Sequence, residues 1–238
     1  MYDFSIVVPA YNEEGNLNNL MKRVAQLRKE KNWNCELVII NDCSKDRTGE
    51  MINRFAKQYA WVHAVHRKKD EPHGMGYTLK EGMRHSKGKI IFWVMADLCD
   101  DISKLNQFVS KINNEGYDIV VGSRYIKGGS PGDIAWYKAI ASFCVTGILR
   151  VTYGIPVHDI TNAFRGFRRE LIPMTLKLKN NDFAISPEQM VRAAMAGYRL
   201  GEVPVVYRDR VAGKSSFKFV KMGFRYIGLI RPRFQRNN

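Results

Sequence analysis

Acidic side chains are scarce in this chain. Aspartate and glutamate together number 23 against 38 lysines and arginines, which leaves a formal charge of +15 on 238 residues. A surplus of that size predicts an anionic partner: nucleic acid, a phosphorylated substrate or an acidic membrane surface. Cysteine is equally sparse. Cys35, Cys43, Cys99 and Cys144 stand far apart, form no C-x-x-C pair and have no histidine at zinc-ligand spacing. A disulfide framework and a structural zinc are therefore not expected, and buried thiols in a reducing compartment are. Long apolar runs are missing too. The longest uncharged stretch, Ala139 to Leu149, lies between Lys138 and Arg150 and contains Ser142, Thr146 and Gly147. A membrane span needs roughly 18 apolar residues, so this stretch reads as a core or interfacial helix. The opening Met1-Tyr2-Asp3-Phe4-Ser5 has no charged leader before an apolar segment, and no signal peptide is expected. Internal repeats and low-complexity segments are absent.

What is present reads as globular. Hydrophobic residues make up 45% and charged residues 26%, and the length suits one large domain or two small ones, with a real core. Strand and helix signals alternate through the first half. Phe4 to Val8 is an apolar run ended by Pro9, after which Leu17, Leu20, Val24 and Leu27 recur at helical spacing. Glu36 to Ile40 is a second strand, continuous in apolar residues as a strand buried on both faces should be. Met51, Ile52, Phe55 and Tyr59 form the next apolar stripe, and Val62 to Val65 a third strand. A helix over Thr78 to His85 and strands over Ile90 to Met95 and Ile119 to Val121 follow. After residue 122 come a Gly/Pro loop, helical stretches around 135–150 and 186–196, and a last strand over Glu202 to Tyr207. This alternation implies an α/β domain whose mostly parallel central sheet has helices on both faces, a three-layer arrangement. Its expected extent is 1–209, with a basic, amphipathic, helical C-terminal segment at 210–238.

In an open parallel sheet, ligands bind at the carboxyl ends of the strands. The residues standing there are Pro9, Ala10, Tyr11, Asn12, Glu13 and Glu14 after the first strand, then Asn41, Asp42, Cys43 and Ser44 after the second. Ala96, Asp97, Leu98, Cys99, Asp100 and Asp101 follow the fourth, and Gly122, Ser123, Arg124 and Tyr125 the fifth. Three acidic clusters and an arginine converge on one rim. Oxygen-rich clusters suit Mg²⁺ or Mn²⁺, which in turn bind diphosphates. Singly, each has a plainer reading: Asp42 as a helix cap, Asp100 or Asp101 as helix N-terminal charges, Tyr11 as a packed aromatic, Arg124 as a surface ion pair.

The ordered motifs resemble family 2 glycosyltransferases of the GT-A fold. SIVVPAYNEEGNL, IINDCSKDRTGE and MADLCDD match that family in order, and VVGSRYIKGG, VHDITNAFRGFRREL and GYRLGEVPVVYRDRVAGKSSF resemble its dolichol- or polyprenol-phosphate mannose synthase branch, over about residues 4–220. The resemblance implies roles. Pro9, Tyr11, Glu13 and Asp42 would hold the nucleoside of a sugar nucleotide, with Asp42 accepting a base N–H, and Ala96 and Asp97 would also contact the donor. Asp97 would bind a divalent cation, Mg²⁺ or Mn²⁺, with Asp100 or Asp101 as the other candidate ligands. Arg124 and Lys138 would meet the acceptor phosphate, and Arg210, Lys214 and Ser215 the donor phosphates. Asp97 and Arg124 would be the catalytic pair. The chain departs from the family pattern at Met95 and Cys99, which stand where polar metal-site residues are usual, and at Ser216, where a lysine is frequent. A thioether is a poor ligand for a hard cation.

The implied activity is inverting transfer of a sugar, GDP-mannose ahead of UDP-hexoses as donor, to a polyprenyl or dolichyl phosphate. Such an acceptor is already anionic near neutral pH, so no catalytic base is assigned; Glu188 and Asp159 lie in matching segments and read at least as well as structural. Residues 210–238 hold eight basic side chains and no acidic one. Lys218, Lys221 and Arg225 share a helical face, and Phe217, Phe219, Val220, Phe224, Ile227 and Ile230 cover much of the rest. This suits an interfacial helix on anionic lipid, with a helix packed on the domain as the competing reading. The expected partners are thus a nucleotide sugar, a polyprenyl phosphate lipid and the cytoplasmic face of a membrane, reached peripherally or through a membrane-anchoring partner. The competing functions are a transferase acting on a polysaccharide or protein hydroxyl, and a degenerate, non-catalytic homologue. Nucleic acid is the weakest partner, because no base-reading motif accompanies the charge.

Overall fold

The computed structural model describes residues 1–208 together with Arg225, Tyr226, Gly228 and Leu229. Arg210, Lys214, Ser215 and nearly all of the expected C-terminal segment lie outside the described residues.

The elements run, in chain order, β1 (Phe4–Ala10), α1 (Glu14–Glu30), β2 (Cys35–Asn41), α2 (Thr48–Gln58), β3 (Val62–His66), α3 (Met75–His85), β4 (Ile90–Trp93), α4 (Leu105–Asn114), β5 (Ile119–Ser123), α5 (Trp136–Tyr153), β6 (Arg165–Arg168), α6 (Ile172–Leu176), α7 (Ile185–Met195) and β7 (Leu200–Pro204). The strands form one seven-stranded sheet in the order β3-β2-β1-β4-β6-β5-β7. β1 pairs in parallel with β2 and β4, β2 with β3, and β5 with β7. β6 is antiparallel to both its neighbours, β4 and β5.

The side chains of each strand alternate between two cores, as the two-residue period of a strand requires. Ile6 and Val8 of β1 pack with Leu17, Leu20 and Val24 of α1 and Phe108 of α4 on one face of the sheet. Val7, Val38 and Trp93 pack with Leu79 and Met83 of α3 and Met190 of α7 on the other. Helix α3 approaches the sheet closely because Gly82 faces it: a Cβ there would meet Ile40 Cδ1 at 2.5 Å and the Val7 side chain. Pro9 lacks an N–H but lies past Val7, the last β1 residue paired to β4, so the strand tolerates it.

Helices α4 and α6 and strand β6 went unread; β6, Arg-Gly-Phe-Arg, opens and closes on arginine and carries no apolar run. Arg165 is nevertheless fully buried. Its guanidinium lies over the Trp93 ring at 5.6 Å and donates from Nη1 to the Ser186 carbonyl at 2.7 Å and from Nη2 to that of Ile160 at 3.2 Å. Burial pushes its pKa down to about 9. The last strand runs over Leu200–Pro204, earlier than expected, and Val206 forms an isolated bridge with Ser130.

Tyr226 and Leu229 belong to the α3/α7-side core. Arg225 pairs with Asp182 at 3.4 Å, and Tyr153 Oη donates to the Leu229 carbonyl at 2.5 Å. These residues of the 210–238 segment therefore pack on the domain.

Candidate active site

A cleft of about 1430 Å³ opens at the carboxyl ends of β1, β2, β4 and β5 and is closed on one side by α5. Pro9, Tyr11, Glu13, Asp42, Ala96, Asp97, Asp100, Arg124 and Lys138 all line it. Asp101 does not; its carboxylate accepts the Ser103 N–H at 3.0 Å and caps a single 3₁₀ turn, Ile102–Lys104.

The rim is built from strained loops. Among the described residues, Asn12, Asn32, Cys43 and Leu98 are the non-glycine residues with positive φ, at 55°, 50°, 58° and 53°. Three of these four lie in the loops after β1, β2 and β4, and backbone strain of this kind is found at functional sites. The β1 and β2 loops are stitched together. Asn12 N–H donates to Ser44 Oγ at 3.0 Å, Glu13 N–H to Thr48 Oγ1 at 2.8 Å, and Lys45 N–H to Asn12 Oδ1 at 2.8 Å.

Asp42 is buried and anchors a segment that sequence reasoning missed. Its Oδ1 accepts from Arg67 Nη1 at 2.7 Å and lies 2.9 Å from His73 Nδ1, and its Oδ2 accepts the Gly74 N–H at 2.9 Å. Gly74 has φ 139°, a value that an L side chain rarely adopts. The hydrogen bond to Asp42 raises the His73 pKa above its ordinary value. Nothing local marks Arg67 or His73 as partners of Asp42, since 25 and 31 residues separate them.

Arg124 reaches the cleft from the end of β5. Its Nε donates to Asp159 Oδ2 at 2.6 Å and its Nη2 to Asp159 Oδ1 at 2.8 Å, with Thr161 Oγ1 at 3.1 Å and Ser142 Oγ at 3.3 Å from Nη2. Burial opposes the charge, but the Asp159 carboxylate outweighs it and holds the guanidinium firmly protonated. Glu188, fully buried, is occupied by the Lys179 N–H at 2.9 Å and the Asn180 N–H at 2.7 Å. It fixes the loop that carries Phe183 to the cleft wall.

The carboxylates fit a hard cation only as a partial donor set. Among the described residues no group of three His, Cys, Asp or Glu side chains is arranged to hold a metal ion. Asp97 and Asp100 are both buried and both line the cleft, beside Met95 and Cys99. Burial pushes Asp100 up to about 7, opposed by Arg124 and the Asn162 amide and reinforced by Asp97 and Asp159. A buried carboxylate so short of positive charge is complementary to a divalent cation. An ion held by these two side chains would complete its shell with water and diphosphate oxygens, as Mg²⁺ commonly does. Burial also pushes the Cys99 thiol up to about 12, and its soft sulfur is a poor match for a hard cation.

The sheet order, its antiparallel β6 and the strand-end cleft define an α/β protein of the GT-A type. A crystal structure of glucosyl-3-phosphoglycerate synthase from Mycobacterium tuberculosis in complex with Mg²⁺ and uridine diphosphate superposes with a TM-score of 0.72 at 16% identity, over 100% of this chain and 81% of that one. The profile of glycosyl transferase family 2 matches residues 5–173, and the chain belongs to that family. A dolichol-phosphate mannosyltransferase of Pyrococcus furiosus is 28% identical over 218 residues, 90% of this chain but 59% of the relative, so the chain spans less than two thirds of that protein. A dolichyl-phosphate hexose transferase of Haloferax volcanii is 30% identical over 218 residues, 87% of this chain and 84% of the relative.

Proposed function

We propose that the protein is an inverting glycosyltransferase that moves a hexose from a nucleotide sugar to a polyprenyl or dolichyl phosphate at the cytoplasmic face of a membrane, with GDP-mannose ahead of UDP-hexoses as donor. The observation that carries this reading is the cationic end of the cleft. Arg124 and Lys138 line one cavity with Asp97, and Asp159, the carboxylate beside Arg124, is committed to that arginine through both oxygens. An acceptor that is already anionic needs cations and no base, and a phosphate monoester has its second pKa around 6.

In this reading Pro9, Tyr11, Glu13, Asp42 and Ala96 form the nucleoside end. Asp97 and Asp100 would hold the cation, which when bound neutralises charge developing on the departing diphosphate. Arg124 and Lys138 orient the acceptor phosphate. One of its oxygens attacks the anomeric carbon in line as the bond to the nucleoside diphosphate breaks, and configuration inverts. Positioning supplies much of the acceleration. The names of the two dolichyl-phosphate relatives support the acceptor class, and the Mg²⁺ and uridine diphosphate in the structural neighbour support a divalent cation and a nucleoside diphosphate leaving group.

One feature favours a second reading. Asp100, with its pKa pushed up to about 7, has the basicity of a general base, which a hydroxyl acceptor would require. Assay of the purified full chain with radiolabelled GDP-mannose, UDP-glucose and UDP-N-acetylhexosamines, each with a short polyprenyl phosphate or its phosphate-free alcohol, separates the two. The expected result is labelled glycolipid from the phosphate alone, abolished by EDTA and restored by Mn²⁺ or Mg²⁺. Product from the alcohol, or from no donor at all, overturns the proposal.

A further inference from the structure

Helix α5 turns its polar side chains inward among apolar ones: Lys138, Ala141, Ser142 and Val145 line the cleft, and Thr146 and Leu149 are buried. Its outward side is apolar: Trp136, Ile140, Phe143, Ile148 and Val151 are exposed at 74%, 54%, 59%, 46% and 89%. Positions 136, 140, 143, 147 and 151 follow one another at steps of three or four, with Gly147 exposed in the row and Ile148 at its edge. With Tyr137, α5 carries six of the ten large exposed hydrophobics among the described residues, so the exposure is one stripe and not scatter. A helix facing water presents the opposite pattern, and a contiguous apolar stripe marks an interaction surface.

Charge and position identify the occupant. From Ile134 to His158 there is no acidic residue, while Arg150 borders the stripe and Lys138 stands on the cleft side of the same helix. A second copy of a chain carrying +15 is repelled, whereas an anionic bilayer is attracted. No described helix is long and apolar enough to cross a membrane, so α5 suits lying in the interface. The stripe also shares its helix with the cationic end of the cleft. We infer that α5 docks flat into the headgroup–acyl boundary of an anionic membrane through this stripe, so that the Lys138 end of the cleft opens at the lipid surface. The inference deepens the proposed lipid-phosphate reading and rests on it for its purpose, not for its geometry.

The test uses the full chain and the Ile140→Glu/Ile148→Glu/Val151→Glu variant, altered only at exposed positions outside the cleft. Both are floated with phosphatidylcholine vesicles containing phosphatidylglycerol. The wild type is expected to float, and the variant to partition at least ~tenfold more weakly, with its melting curve and its turnover of a water-soluble, short-chain polyprenyl phosphate unchanged. Equal flotation of the two proteins, or a wild type that does not float, overturns the inference. So does a wild-type dimer in sedimentation that the variant loses while its flotation persists, which would make the stripe a self-interface. In the unmodified protein, brominated acyl chains should quench emission from Trp136, which stands exposed at the start of the stripe; absence of quenching also overturns it. Failure of both proteins to turn over the soluble acceptor strikes the proposed function and leaves flotation to judge this surface.

Discussion

Arg124 and Asp159 meet side-on, through Nε to Oδ2 at 2.6 Å and Nη2 to Oδ1 at 2.8 Å, with the carboxylate wholly buried beneath the guanidinium. The Arg124 N–H adds a third bond to the same carboxylate at 3.1 Å. The bidentate pair fixes the plane of the guanidinium and engages its Nε and Nη2. Among the described residues no acceptor meets Nη1, which is the nitrogen left for an anion in the cleft.

Removing one partner should therefore cost stability and acceptor binding separately. Asp159→Ala leaves a buried cation without its counter-charge, and a loss of about 3–5 kcal/mol is expected in urea denaturation. Arg124→Lys keeps the charge but cannot reproduce the planar fork. It should raise KM for polyprenyl phosphate by at least ~tenfold, with KM for the nucleotide sugar little changed. A stability loss below ~1 kcal/mol in Asp159→Ala would mean that the pair is not the strut described.

The Asp42–His73 contact carries a pH dependence of known sign. The hydrogen bond to Asp42 raises the folded pKa of His73 above its ordinary value. Below the unfolded value of about 6.5, the imidazole is protonated in both states and its contribution to stability is fully present. That contribution is lost as pH rises through the raised folded pKa. Thermal unfolding between pH 6 and pH 8 should show a fall in Tm for the wild type that is smaller in His73→Gln. Identical pH slopes in the two proteins would show that the contact does not couple to folding.

The residues at the β1, β2, β4 and β5 ends were legible because parallel strands buried on both faces read as continuous apolar runs, so the polar residues that end them stand out. Asp42, Asp97 and Arg124 line the cleft from those ends. Asp100 and Asp101 could not be told apart, being identical neighbours. The turn at Leu98, with φ 53°, precedes them; Asp100 lines the cleft and Asp101 caps a 3₁₀ turn. β6 was hidden because the burial of Arg165 depends on the carbonyls of Ile160 and Ser186, which come together only in three dimensions. The outward stripe of α5 was visible as an apolar stretch, but which side faces the cleft depends on Lys138 and Ser142 meeting it.

The cation site yields the sharpest separation of neighbouring residues. Asp97 and Asp100 are buried in the cleft wall, whereas Asp101 lies outside it. Loss of a charge acting on the departing diphosphate costs on the order of 100-fold or more, and Asp97→Ala should fall by at least that in kcat/KM. Asp101→Ala loses only a turn cap, about 1 kcal/mol of stability, and should retain activity within about twofold of wild type. Met95 also lines the cleft and offers sulfur where a hard cation prefers oxygen. Met95→Asp adds a carboxylate beside Asp97 and should lower the Mn²⁺ concentration for half-maximal activity by about tenfold, read from metal titrations after EDTA treatment. Equal losses in Asp97→Ala and Asp101→Ala would reassign the ligand, and a Met95→Asp titration unchanged from wild type would place the cation away from residue 95.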